Sequence, residues 1–260
     1  MRITNPKLPR RTAAPGVPQT AWWLGRPLAE GKVAHHRNSQ EAMDSAIASD
    51  CNWVEGDIRK SLDGKRLEMR HSSAAEGTAL GFDAWLAAVK PAGRGLKLNC
   101  KEPQHMEEII AAVKASEIPS DRLMWNLGDA AMATWAAKLR QKFPRSILAL
   151  RPTLDGDKIT TAQVARLISL AKRGGMPMMF LLPYDKLTDT TLRGLRPYGP
   201  ISVSSAPVSE VAALRTRGVD GVIELAQAAV VGEASTPVER PEAVNDGTGE
   251  IPAVKVTRSA

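Results

Sequence analysis

Between residues 32 and 225 the sequence carries eight short apolar runs, most of them separated by segments of helical period. The runs are 32–36, 52–58, 95–100, 122–126, 146–151, 178–182, 201–204 and 221–225, each of strand length. Between them, 40–48 reads as a helix with Ser39 placed to cap its first turn. Residues 82–89 set Phe82, Trp85, Leu86 and Val89 at i, i+3, i+4 and i+7. Further helices are expected over 105–115, 129–142, 162–172 and 208–217. Strands joined through helices form parallel sheets, and eight is the number that closes a ring, so the expected fold is α/β: a single (β/α)8 TIM-type barrel. One segment breaks the alternation. Residues 66–71 are strand-like and follow the second run after Asp63-Gly64, which predicts a β-hairpin excursion after the second strand. A pivot near Asp63 would bring His71 back level with Glu55.

A chain of 260 residues, 43% hydrophobic and 24% charged, can bury one substantial core. The expected division is a basic, largely irregular arm over 1–31, the barrel over 32–230 and a disordered tail over 231–260. Trp22 and Trp23 are expected to pack against the barrel. The net charge of +7 is uneven: residues 1–32 hold six Lys/Arg against Glu30, and 231–260 hold three against five acids. Without aromatic interleaving or a recognised binding motif, the basic arm reads as a solvated extension, and nucleic acid is not expected as a partner. No apolar run of membrane-spanning length occurs and the first twenty residues lack a signal-like apolar stretch, so a cytoplasmic location is expected. Cys51 and Cys100 match no disulfide framework and read as small buried side chains, and the methionines at 176, 178 and 179 read as core.

The polar residues of the first hundred positions are more specific: His35-His36-Arg37-Asn38-Ser39, Glu55-Gly56-Asp57, His71 and Asn99-Cys100-Lys101. Alternate residues of a strand share a face, so Glu55 points with Asp57, Lys97 with Asn99 and Lys101, and Val33 with His35 and Arg37. These sets would converge at the C-terminal mouth of the barrel, where such folds place their sites. Glu55, Asp57 and the Asn99 side-chain oxygen make a hard oxygen set suited to magnesium or calcium. His35 and His71 can divide acid and base work, and Lys101 can counter charge on phosphoryl oxygens.

On these residues the chain resembles the menorin family. More distantly it resembles the glycerophosphodiester phosphodiesterases and the spider-venom sphingomyelinases D of the phospholipase C-like superfamily. The menorin-like signature is matched by His35, Asn38 and Ser39, by Glu55 and Asp57 some twenty residues on, by Asn99 and Lys101, and by His71 as the second histidine. Residues 218–223 look like the last strand of such a barrel. The resemblance implies metal-dependent cleavage of a small or lipid-headgroup phosphodiester, with Glu55, Asp57 and Asn99 holding the cation and His35 and His71 as acid and base. His36-Arg37 matches the His-Arg pair of glycerophosphodiesterases, but the interval to Glu55 favours His35, with Arg37 and Asn38 as substrate contacts. Where those relatives carry a third acid this chain has Asn99, which lowers the charge of the site. That departure supports an alternative, a catalytically attenuated barrel serving as a binding or interaction module.

Taken singly, His36 is more often a packed or surface residue than a catalyst, and His105 opens a helix at the surface. Asn126, Arg151 and Glu224 fall at later strand ends, where lining the mouth and forming a local salt bridge or cap are equally good readings.

Overall fold

The computed structural model describes residues 31–72, 79–154, 156–174 and 178–225, except the side chains of 174 and 223–225. The chain divides into two units, Met1–Gln227 and Ala228–Ala260, and every described residue belongs to the first. The expectations for the arm, for Trp22 and Trp23, for Met176 and for the tail lie outside the described residues.

Eight parallel strands form the ring: β1 (Val33–Ala34), β2 (Trp53–Lys60), β5 (Gly95–Cys100), β6 (Leu123–Gly128), β7 (Ile147–Arg151), β8 (Met178–Pro183), β9 (Ile201–Ala206) and β10 (Gly221–Leu225). Each is hydrogen-bonded in parallel to the next, and β10 lies against β1. Two short strands, β3 (Leu67–Met69) and β4 (Leu80–Gly81), extend β2 outward in antiparallel pairing. The chain is therefore an α/β barrel of TIM type with a hairpin excursion after its second strand. Among the described residues, no helix is long and apolar enough to cross a membrane.

The helices are α1 (Gln40–Ala48), α2 (Phe82–Val89), α3 (Met106–Ala115), α4 (Asp129–Lys142), α5 (Thr161–Gly174), α6 (Asp189–Leu195) and α7 (Val211–Thr216). Ser39 caps α1 by accepting from the Ala42 amide. The helix expected over 208–217 is shorter, because 208–210 form a 3-10 turn. The unexpected helix is α6. Its seven residues are too few to show an apolar period, although Thr188 caps it by accepting from the Thr191 amide, a Thr-Asp-Thr-Thr signal that is visible in the sequence.

Alternation along each strand sorts side chains into two cores. Val54, Ile58, Leu96, Leu98, Trp125 and Leu148 face the helices. Trp53, Met124, Ile147, Ala149, Met179 and Leu181, with Val33 against them, fill the interior of the ring. Polar residues begin above this apolar floor, toward the C-terminal ends of the strands. Cys51 and Cys100 are both buried and unpaired, and burial pushes the Cys100 thiol up to about 12.

Trp53 sets the floor. Its ring lies over Gly95, its partner on β5, and a Cβ at position 95 would stand 2.3 Å from Trp53 Cδ2. The ring is 1% exposed and has no free volume to retreat into. Gly95→Ala is therefore expected to cost about 1–3 kcal/mol by overpacking, and Trp53→Ala about 3–5 kcal/mol by leaving a cavity. Urea unfolding measures both. A Gly95→Ala protein as stable as the wild type would show that the ring does not bear on β5.

Candidate active site

The site is built from the ends of β1, β2 and β5 together with the hairpin. β1 stops at Ala34, so strict alternation no longer governs the next residues. His36 adopts φ 54°, in the left-handed region that few non-glycine residues occupy. Its amide donates to Glu55 Oε2 at 2.8 Å, and its carbonyl accepts from the Asn38 amide at 3.0 Å. This turn sends both His35 and His36 into the same cavity, their rings stacked with centroids 3.7 Å apart. Sequence alternation had placed His36 on the opposite face from His35. The signal that could have recovered it is the neighbouring Asn38, which marks a turn rather than a continuing strand.

The hairpin delivers His71 nearly as expected. Its register pairs Ile58 with Met69 and Lys60 with Leu67, so the turn pivots between Asp63 and Gly64 and His71 falls one residue away from the level of Glu55. It meets Asp57 instead, with Nδ1 2.9 Å from Oδ2. Arg70 holds this end of the hairpin in place: its guanidinium donates to Glu68 Oε1, the Ser72 carbonyl and the Lys60 carbonyl. On the outer face of β2, the Trp85 ring edge lies 3.3 Å from where a Cβ on Gly56 would stand, and its Nε1 donates to the Arg37 carbonyl at 2.9 Å. A Cβ there would also stand 2.1 Å from Met69 Cε, so the glycine of Glu55-Gly56-Asp57 leaves room first for the hairpin's Met69 and then for Trp85.

Asp57 is fully buried and each of its oxygens has two nitrogen groups within 3.0 Å, with His36 Nε2 a further neighbour of Oδ2 at 3.7 Å. Oδ1 accepts from Asn99 Nδ2 at 2.6 Å and lies 3.0 Å from Lys101 Nζ. Oδ2 accepts from Asn38 Nδ2 at 3.0 Å and faces His71. Burial works to raise this carboxyl, but the hydrogen bonds from Asn38 and His71 and the charge of Lys101 outweigh it and hold it well below the usual carboxylate range.

Glu55, also fully buried, lies 3.3 Å from His35 Nε2 through Oε2 and 3.9 Å from Lys97 Nζ through Oε1. Burial again opposes ionisation, and the Lys97 charge together with the His35 hydrogen bond turns the net direction downward. Lys97 is itself drawn down by burial, partly offset by Glu55. Glu55 Oε1 and Asn126 Oδ1 are buried acceptors with no hydrogen-bond partner among the described residues. His36 is held below the ordinary histidine value by burial and then by the neighbouring His35.

The cavity, of about 520 Å³, is lined by His35, His36, Glu55, His71, Lys97, Asn99 and Lys101 on one side. Asn126, Arg151, Ser204 and Ser205 line the other. The expected catalytic residues His35, His71 and Lys101 are thus brought together with Glu55 and Asp57. Asn99 sits beside them but turns its nitrogen to Asp57, while its oxygen accepts from Asn126 at 3.2 Å. Asn38 spends both ends of its amide on Asp57, donating to the carboxylate and accepting from the backbone amide at 2.8 Å. Arg37 is not among the cavity-lining residues. The Glu224 side chain lies outside the described residues.

Two groups have ligand atoms within 4.8 Å of one another, as a metal ion would require: His35, His36 and Glu55, and His36, Asp57 and His71. His36 belongs to both. His36 and Lys97 are the two residues at the centre of the site that the sequence reading left out of its first choice.

No protein-family model matches the sequence, so membership of the menorin family is not shown, and no curated protein matches it either. Solved structures do match. One is a candidate glycerophosphoryl diester phosphodiesterase from Silicibacter pomeroyi DSS-3, 13% identical, with a TM-score of 0.59 over 79% of this chain and 92% of that one. Another is a phosphodiesterase from Oleispira antarctica in complex with its product sn-glycerol-3-phosphate, 16% identical, with a TM-score of 0.55 over 75% and 93%. At these identities the likeness is one of fold: this chain shares the barrel on which those phosphodiesterases are built.

Proposed function

We propose that the chain is a phosphoric diester hydrolase that acts, with a divalent cation, on a small phosphodiester or a lipid headgroup. One observation carries this reading: three histidines stand in a row over two fully buried, ionised carboxylates at the C-terminal mouth of the barrel. The His36 and His71 ring centroids are 4.2 Å apart with the rings tilted by 57°, next to the His35–His36 stack. The phosphodiesterases that share the fold support it, as does the ordered motif set that resembles menorins.

The donor set fits a cation. Glu55 Oε1 is a buried carboxylate oxygen with an unused acceptor position, and Asp57 lies two residues along the same face. Glu55 and Asp57 would hold magnesium or calcium, ions that favour carboxylate oxygen. Asn99 would join them only by turning its amide. A bound cation would supply charge to stabilise the phosphoryl oxygens.

The chain's own residues do the rest. His36, kept neutral near pH 7, accepts a proton from the attacking hydroxyl. His71, oriented by Asp57 through Nδ1, presents Nε2 to the cavity and donates a proton to the departing alcohol. Lys101 stands between Asp57 and the cavity, where its ammonium meets phosphoryl oxygens. His35, held by Glu55, fixes that carboxylate and packs the His36 ring.

A second reading has its own observation. Asp57 already meets four nitrogen groups, and Asn99 stands where the resembled families have an acid, so the barrel would bind a phosphate-bearing ligand without turning it over.

Hydrolysis of bis(p-nitrophenyl) phosphate separates the two readings. His36→Ala and His71→Ala are each expected to lower kcat/KM by about 10²-fold, and His35→Ala by less. If His35→Ala proves the more damaging of the adjacent pair, the proton acceptor is His35. No turnover by the wild type under any cation favours the binding module.

Chelator treatment is expected to abolish turnover, and added magnesium or calcium to restore it. Asn99→Asp adds a negative ligand and is expected to tighten cation binding in calorimetry. Turnover that persists in chelator would remove the cation from the proposal.

The pH profile checks the proton acceptor. A base must be unprotonated, so kcat/KM falls as pH drops through its pKa. Because His36 lies below the ordinary histidine value, the acid limb is expected below about pH 6.5. A limb at or above that value in the wild type would contradict the assignment.

A further inference from the structure

The side of the cavity away from the histidines carries a cation that the proposed chemistry does not use. Register pairs Asn99 with Asn126, Asn126 with Ala149 and Gly128 with Arg151, so Lys101, Gly128 and Arg151 belong to one layer at the mouth. Gly128 leaves that layer open between the two cations, and the strands bearing them are about 10 Å apart, two strand spacings. Lys97 is matched with Glu55 and Lys101 with Asp57. Arg151 has no carboxylate or hydrogen-bond partner among the described residues.

Among the described residues, the acid that follows its register partner Gly128 is already committed. Asp129, which opens α4 directly after Gly128, accepts from Thr153 Oγ1 at 2.7 Å and from the Ala130 amide at 2.8 Å, and it pairs with Arg166 at 2.8 Å. Hydroxyl groups stand with Arg151 around the same wall. Ser205 has φ 59° within β9, where the pairing with β10 is irregular, and consecutive residues Ser204 and Ser205 both line the cavity, as His35 and His36 do. A guanidinium with no carboxylate partner among the described residues, lining the same cavity as two hydroxyl donors, can receive a planar or tetrahedral anion.

We propose that Arg151, with Ser204 and Ser205, forms a second anion subsite, and that the substrate's esterified alcohol carries a carboxylate or phosphate monoester of its own. The assignment to substrate rests on the phosphodiesterase reading: a phosphate seated against His36, His71 and Lys101 directs its ester group across the mouth toward β7 and β9.

Binding by calorimetry tests the subsite independently of turnover, using three compounds. 3-Phosphoglycerate carries a carboxylate as its second charge, propane-1,3-diol bisphosphate carries a second phosphate, and glycerol 3-phosphate carries neither. At least one of the first two is expected to bind the wild type about tenfold or more tightly than glycerol 3-phosphate. Which one does so identifies the anion. Arg151→Gln is expected to bring that ratio to about one and Arg151→Lys to keep part of it, with thermal unfolding confirming that both variants fold. A ratio near one in the wild type, a ratio that survives Arg151→Gln, or no binding of any compound overturns the subsite. The hydrolase reading fails separately, by absent phosphodiester turnover, and a ratio lost only in Arg151→Gln would then still establish the subsite.

Discussion

The carboxylate of Asp57 is the constraint on which the rest of the site depends. An ionised carboxylate excluded from water is several kcal/mol less stable than in solution unless donors surround it. Here four donors come from three segments of the chain: Asn38 after β1, His71 beyond β3, and Asn99 at the end of β5 with Lys101 just past it. Moving any of them leaves charge uncompensated, so this one buried group fixes the turn after β1, the register of the hairpin and the pairing of β2 with β5. The same contacts that hold the fold at this corner also orient the groups proposed to do chemistry.

Below it, Glu55 and Lys97 form a second buried pair, on an apolar floor made by Trp53, Met124 and Met179. The interior therefore changes from dry hydrocarbon to charge within the length of a strand. Charges at that boundary interact through a medium of low dielectric, so the hydrogen bonds from Asn38, His71 and His35 and the charges of Lys97 and Lys101 together outweigh the burial that opposes ionisation of the two carboxylates. Fields of this kind act strongly on a phosphoryl group that enters the mouth and weakly on anything in bulk water.

Much of this was legible in the sequence, for identifiable reasons. The eight strands could be read because apolar residues recur at the positions that face the cores, and α1, α2 and α4 kept their expected bounds, α1 at its Ser39 cap and α2 through its apolar period. Glu55, Asp57, Lys97 and Asn99 could be placed on the inner face because strand alternation is strict within β2 and β5. His36 could not, because it lies past the end of β1, where one left-handed residue cancels alternation. The direction in which Asn99 turns its amide was also out of reach, since it depends on the neighbouring Asp57 carboxylate and Asn126, which only tertiary structure brings together.

His71 alone among the three histidines reaches the mouth from outside the ring, on a hairpin whose pairing with β2 spans Ile58 to Lys60. Arg70 ties that short ladder to the Lys60 and Ser72 carbonyls. The ladder is short, but Leu67 and Met69 are buried in the core, so β3 opens only by exposing them. Opening of β3 would withdraw a proton carrier and uncover one oxygen of Asp57 while the ring stayed shut. Release of His71 would thus require Leu67 and Met69 to leave the core, a cost distinct from that of unfolding the ring, and it would change the proton carriers at the mouth without changing the scaffold.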